Sequence, residues 1–189
     1  EGGVRLWDAQ EYDRLRGEDL YRKRDCLSTA FSRTDNSIVV CSPYTCFIYE
    51  TVNHAAPAFD TQRVIVQDAV LGNAGSTLTP IACSPTEDLI SVGAADGSVT
   101  ISNSATGSIA VVATSIEGPF TYDLVFSTDG KRIFAASAGD LRGIRIIDVD
   151  QKAEVGTITT DGEHIWSLSC APSDTPGSDL MAGAGPDAG

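Results

Sequence analysis

Apolar and polar residues alternate in short runs along the chain, and turn-rich segments separate these runs. The clearest run covers residues 3–8 and reads Gly-Val-Arg-Leu-Trp-Asp, and weaker versions recur at residues 46–50, 99–103 and 144–148. Strict alternation places successive side chains on opposite faces of a β-strand, so each run predicts a strand. The polar residues that end the runs, at positions 8, 50, 103 and 148, are spaced by about 45 residues, which indicates an internal repeat.

A second landmark follows the same spacing. Phe31, Cys83, Phe126 and Cys170 each lie near the end of a short apolar strand, and a turn rich in Pro, Asp, Thr or Gly follows each of them. Two independent markers with one period make the repeat credible, and a unit of about 45 residues with four strands is typical of a propeller blade. We therefore expect these four side chains to be buried between neighbouring blades.

The motifs resemble those of the WD-repeat β-propeller family. The resemblance rests on the Gly-Val-Arg-Leu-Trp-Asp run, on strands that end in Phe-Ser before a turn, and on the Asp96-Gly97 hairpin turn. The chain departs from the family pattern in two ways. Only Trp7 fills the family's Trp position, and the Gly-His pair that usually precedes the first strand is missing. The resemblance covers essentially the whole chain and implies an all-β fold with a protein-binding role.

The predicted architecture is an all-β propeller of four-stranded antiparallel blades, with three full blades and two half blades. The half blades are residues 1–25 and 165–189, and the full blades are residues 26–67, 79–113 and 122–158. The two half blades could join into one blade and close a ring of four. A larger ring completed by missing blades is favoured, because the resemblance implies more blades; closure by a second chain is a third route.

Composition narrows the classes of partner. The formal net charge is −13 and the pI is about 4.3, which argues against a nucleic-acid backbone as the main ligand. Contact with nucleic acid is expected only indirectly, through a complex. No apolar run approaches the roughly 18 residues of a membrane-spanning helix, so we expect no membrane segment.

Five cysteines are an odd number, which argues against a complete disulfide framework. Cys83 and Cys170 stand where other repeats have Phe and are expected to act as small core residues. Cys41 and Cys46 flank a four-residue turn and could face each other across a hairpin. Two reduced thiols are the favoured interpretation, because the predicted location is intracellular, in the cytoplasm or the nucleus.

No motif in the sequence predicts catalysis, a cofactor or a metal site. The two histidines, His54 and His164, have no nucleophile motif beside them. The leading hypothesis is a non-catalytic scaffold subunit of an intracellular multiprotein complex. The alternative is the propeller portion of an enzyme with its site in the central channel. The predicted partner contacts are Arg142, Trp166 and, from the loop at residues 68–79, Asp68, Leu71 and Asn73.

Overall fold

The computed structural model describes the following parts of the chain: residues 28–34, 37–41, 46–49, 62–66, 80–113, 120–137, 143–160, 164–172 and 179–184. All regular secondary structure in these segments is β-strand, and none of their residues is helical. The predicted all-β class is confirmed. The predicted half blade at residues 1–25 lies outside the described residues.

Within these segments, fourteen strands form three four-stranded sheets and one two-stranded hairpin. The first sheet contains β1 (Ser28–Phe31), β2 (Ile38–Cys41), β3 (Cys46–Tyr49) and β4 (Gln62–Val66). The second contains β5 (Ile81–Cys83), β6 (Leu89–Gly93), β7 (Val99–Asn103) and β8 (Ile109–Ala113). The third contains β9 (Thr121–Phe126), β10 (Arg132–Ser137), β11 (Gly143–Asp148) and β12 (Ala153–Thr159). The final hairpin pairs β13 (Ser167–Pro172) with β14 (Asp179–Ala184).

Within each sheet that the structure describes, consecutive strands are neighbours, and every pair is antiparallel. Turn chemistry explains this simple order. In the second sheet, Gly97 adopts a φ of 78°, which glycine reaches without steric cost, and its N–H donates to the Ala94 carbonyl at 3.0 Å. The Asp96 carboxylate accepts the Ser98 N–H at 2.9 Å. The Asp-Gly pair therefore forms the hairpin that the sequence predicts.

Successive sheets pack face to face, and the apolar core lies between them. Alternate residues of one strand serve different interfaces: Ile81 packs toward the first sheet, whereas Ala82 packs toward the third. A third cluster joins the third sheet to the final hairpin through Phe134, Ile144 and Leu168. Each interface buries apolar side chains from both partners, which is the main stabilising contribution to such a stack. The arrangement fits the stacking of propeller blades.

The four landmark residues do not share one environment. Phe126 is only 4% exposed and lies in the cluster between the second and third sheets, as predicted. Cys83 and Cys170 are half-buried and pack against the sheet that precedes theirs. The prediction for Phe31 is wrong, because its side chain is 62% exposed. The physical reason is a missing neighbour: within the described residues, no sheet precedes the one to which Phe31 belongs.

The cysteine chemistry also differs from the prediction. Cys41 is disulfide-bonded, whereas Cys170 is a free thiol. The ladder between β2 and β3 pairs Cys41 directly with Cys46. The expectation of a reduced thiol at Cys41 is therefore wrong. It rested on the expected compartment, whereas direct cross-strand pairing places two cysteine Cα atoms within the distance that a disulfide spans.

Candidate functional site

The connections between strands gather at two opposite ends of the stack. The Phe120 N–H donates to the Ala95 carbonyl at 3.0 Å, so the start of β9 meets the second-sheet hairpin. The Ser104 N–H donates to the Asp88 carbonyl at 2.7 Å, and the Val149 N–H to the Lys131 carbonyl at 3.0 Å, at the other end. We call residues 94–98, 120–123 and 164–167 the hairpin end. We call residues 84–88, 103–108, 127–132 and 149–152 the turn end.

A β-bulge shapes the hairpin end. In the ladder between β9 and β10, Ala136 pairs with Asp123 and Ser137 pairs with Thr121, which leaves Tyr122 as the extra residue. The Thr121 side chain packs on the second sheet, because a Cβ added to Gly93 would lie 2.8 Å from its Cβ. Since a bulge breaks the alternation of faces, Tyr122 and Asp123 can both interact with the final hairpin.

Tyr122 and Trp166 form an aromatic pair between two successive sheets. Their ring centroids are 6.2 Å apart and the ring planes are tilted by 43°. This geometry lies within the range that favours attraction between aromatic rings. Trp166 is nevertheless 57% exposed, and Tyr122 is half-buried. The pair therefore presents a large aromatic surface to solvent on a supported backbone.

Asp123 connects the strands that carry the two rings. Its Oδ2 accepts the Leu168 N–H at 2.7 Å, and its Oδ1 accepts the Leu124 N–H at 2.9 Å. Hydrogen bonds to a charged acceptor are stronger than those between neutral groups. Leu168 follows Trp166 by two residues, so this bond fixes the backbone beside the indole. The neighbouring His164 is half-buried, and its Nδ1 is buried without a hydrogen-bond partner.

The backbone at the start of β9 is strained. Phe120 has a φ of 57°, a region that residues other than glycine rarely occupy. Such conformations cost on the order of 1–3 kcal/mol and persist where the surroundings impose them. Here the surroundings are the hairpin carbonyls of Ala94 and Ala95, which accept the N–H groups of Thr121 and Phe120. The strain lies two residues from Tyr122.

Arg145 holds the hairpin from the third sheet. Its Nη1 donates to the Gly97 carbonyl at 2.6 Å and its Nε to Glu154 Oε2 at 2.9 Å, although Arg145 is only 5% exposed. Its Nη2 is buried without a partner, as are the hydroxyls of Thr121 and Ser137, which are cross-strand neighbours. A guanidinium bound to a backbone carbonyl of another sheet positions that hairpin, so Arg145 supports the site without being part of the exposed surface.

The turn end is internally satisfied. Asp179 of β14 accepts hydrogen bonds from the Thr128 hydroxyl and, at 3.3 Å, from the Thr128 N–H. The Asp129 carboxylate accepts the Ser127 hydroxyl at 2.6 Å and the Lys131 N–H at 3.0 Å, and these bonds, the first above all, lower the pKa of Asp129. Burial, followed by the charge of Asp179, raises the pKa of the Cys170 thiol. Cys170 is therefore protonated near neutral pH and is a poor nucleophile.

The predicted contact residues have different outcomes. Trp166 lies exposed at the hairpin end, where a partner can reach it. Arg142, Asp68, Leu71 and Asn73 lie outside the described residues. Tyr122 was not predicted, although a signal existed: Tyr122 precedes Phe126 by the same interval as Trp166 precedes Cys170. Equivalent positions of two repeats thus carry the aromatic pair.

Neither a metal site nor a membrane-spanning helix occurs in the described parts of the chain. They contain no group of three or more His, Cys, Asp or Glu side chains that could hold a metal ion. Within the same segments, no helix is long and apolar enough to cross a membrane.

Comparison with solved structures finds chains of similar fold, whereas comparison by sequence finds no relative. No protein-family model matches the chain, and no curated protein matches it. Among solved structures 625 chains match, and a shared fold does not by itself indicate an activity. One of them is the Kuenenia stuttgartiensis hydrazine synthase, with a TM-score of 0.60 and 16% identity. The match covers 87% of this chain and 47% of that chain, so this chain spans about half the length of that neighbour. Identity this low indicates a shared fold alone.

Proposed function

We propose that this chain is a non-catalytic module that binds other proteins through its hairpin end. The observation that carries the proposal is the Tyr122–Trp166 pair, because Trp166 is 57% exposed while Tyr122 and the Asp123 hydrogen bonds support it. Tryptophan and tyrosine are enriched among the residues that contribute most to protein–protein affinity. A rigid aromatic surface loses little conformational entropy on binding.

The architecture that goes with this function is a β-propeller of the WD-repeat type. Support comes from the three four-stranded sheets, which pack face to face through alternate residues, and from the repeated sequence motifs. In such an arrangement both faces of each sheet are buried, so partners contact the ends of the stack. We propose a ring larger than four blades, completed by segments beyond those described.

The bonding state of the cysteines, rather than the fold, bears on the cellular compartment of the protein. The bonded state of Cys41 favours an oxidising compartment, because disulfides rarely persist where thiols are kept reduced. We therefore propose that the module works in such a compartment, which differs from the cytoplasm or nucleus expected from the sequence.

Affinity capture with matched variants tests the binding function. Trp166→Leu removes the exposed indole. The control Phe31→Leu removes a similarly exposed aromatic ring at the end of β1, away from the hairpin end. We expect a defined partner to be retained by the wild type and by Phe31→Leu, and lost by Trp166→Leu. If the retained proteins are the same for all three forms, the hairpin end is not the binding surface.

A further inference from the structure

The two ends of the stack carry different charges. Among side chains that the structure describes, the exposed cations are Arg33, Lys131, Arg132 and Lys152. The last three belong to the turn end, and Arg33 lies in the corresponding turn after β1. Acidic groups such as Glu87, Asp129 and Asp150 accompany them there, so the charge of the turn end is mixed.

The hairpin end is acidic by contrast. Asp96 is exposed at the tip of the second-sheet hairpin, and Asp123, which follows Tyr122 in the chain, is half-buried. The guanidinium of Arg145, which reaches this hairpin, is buried and already bound to Glu154 and Gly97. No lysine and no other arginine side chain lies at this end within the described segments. The formal net charge of −13 for the whole chain adds to the negative potential.

The aromatic pair has the geometry to receive a cation. A cation is attracted to a ring face when it lies within about 6 Å of the centroid. Because the centroids of Tyr122 and Trp166 are 6.2 Å apart, a cation placed between the two rings can lie within this distance of both. A carboxylate would be repelled by the rings and by the nearby acids, and a neutral side chain would gain only apolar contact.

We propose that the partner of the hairpin end is a basic protein segment that places a lysine or arginine side chain against Tyr122 and Trp166. This inference rests on the proposed binding function and specifies its partner. Charge complementarity attracts the segment, and the aromatic pair selects the cationic side chain at close range.

Fluorescence anisotropy with labelled synthetic peptides tests the proposal. One peptide alternates serine and lysine, a second replaces each lysine with glutamine, and a third replaces each lysine with glutamate. We expect the wild type to bind the lysine peptide best, and the affinity to fall as ionic strength rises. Trp166→Leu should weaken binding by about five-fold, the equivalent of one exposed cation–π contact, and Phe31→Leu should not.

A second pair of variants separates the effect of a nearby negative charge from the electrostatic attraction of the whole chain. Asp96→Asn and Asp150→Asn make the same charge change at opposite ends, and asparagine at position 96 still offers an oxygen to the Ser98 N–H. Circular dichroism checks that all four variants are folded. We expect Asp96→Asn to weaken lysine-peptide binding more than Asp150→Asn does.

Three outcomes would overturn the inference. If the lysine and glutamine peptides bind equally and both depend on Trp166, the binding function stands and the cationic specificity is wrong. If Trp166→Leu leaves the affinity for the lysine peptide unchanged and both aspartate variants lower it equally, the attraction comes only from net charge. If the lysine peptide does not bind, the hairpin end does not select a cation.

Discussion

Replacement of Arg145 by methionine tests whether a buried cation holds the second-sheet hairpin in place. Methionine keeps the length and much of the volume of the arginine side chain but removes its charge and its donors. The change deletes the 2.6 Å hydrogen bond to the Gly97 carbonyl and the 2.9 Å ion pair with Glu154. It also removes the buried Nη2, which has no partner.

The magnitude follows from these contacts. A buried hydrogen bond from a charged group contributes about 1.5–3 kcal/mol, and the carbonyl left unpaired adds to the loss. The ion pair adds little, at most about 1 kcal/mol, because the Glu154 side chain is 38% exposed and solvent screens it. The buried Nη2 has no partner and destabilises the fold, so its removal offsets about 1 kcal/mol of this loss of stability. We therefore expect Arg145→Met to lower the free energy of unfolding by about 2 kcal/mol.

Urea denaturation followed by tryptophan fluorescence measures the change, and Glu154→Gln is the matched control. Glu154→Gln removes the charge of the exposed partner but keeps the Gly97 bond, so it should cost less than about 1 kcal/mol. Equal losses from the two variants would refute the reasoning, because the ion pair and not the carbonyl bond would then be the stabilising contact. A loss below about 0.5 kcal/mol for Arg145→Met would mean that the hairpin does not depend on the guanidinium.

Three further predictions concern other parts of the chain. Phe126→Ala should destabilise by about 3–5 kcal/mol and Phe31→Ala by less than about 1 kcal/mol in urea, and similar losses would contradict their different burial. Because hydrogen bonds lower the pKa of Asp129 in the folded state, its contribution to stability is complete above the ordinary carboxyl pKa and is lost as pH falls through the folded pKa. The urea midpoint of Asp129→Asn should therefore fall less steeply with acidification than that of the wild type, and parallel curves would exclude this role. Thiol titration of the protein in denaturant without reductant should detect at most three of the five cysteines, because the Cys41 disulfide takes up two of them, whereas five would mean that this disulfide does not form.

Local patterns predicted the strands because strand and turn preferences act over a few residues. The alternation at residues 99–103 beside an Asp-Gly turn indicated a strand, and the observed strand is Val99–Asn103. Alternation and glycine conformation suffice for this result. The all-β class and the antiparallel sheets were predictable for the same reason.

The environment of individual side chains depends on the neighbouring sheet, which local patterns do not reveal. Arg145 stands between two isoleucines in an alternating strand, and such a polar position normally indicates exposure to solvent. It is buried because the second sheet covers that face and offers the Gly97 carbonyl. Phe31 shows the opposite case: an apolar residue at a core position of the repeat is exposed where the described residues provide no preceding sheet.

The aromatic pair was predictable only in part. Trp166 could be proposed as a contact because it lies at the start of a predicted strand, next to a loop. The role of Tyr122 required the bulge, and the bulge arises from the register between β9 and β10. Alternation alone would have directed Tyr122 toward the second sheet with Leu124, away from Trp166.

The contrast between the two ends of the stack explains why recognition is expected at only one of them. At the turn end, side chains such as Ser84, Asp129 and Asp179 already satisfy backbone and hydroxyl groups of neighbouring turns. A partner there would have to replace existing hydrogen bonds and would gain little. At the hairpin end, Arg145 and Asp123 use their hydrogen bonds to fix the backbone, and the indole of Trp166 stays exposed above it. A partner that covers the indole removes apolar surface from water without breaking those bonds, so the free energy of binding favours this end.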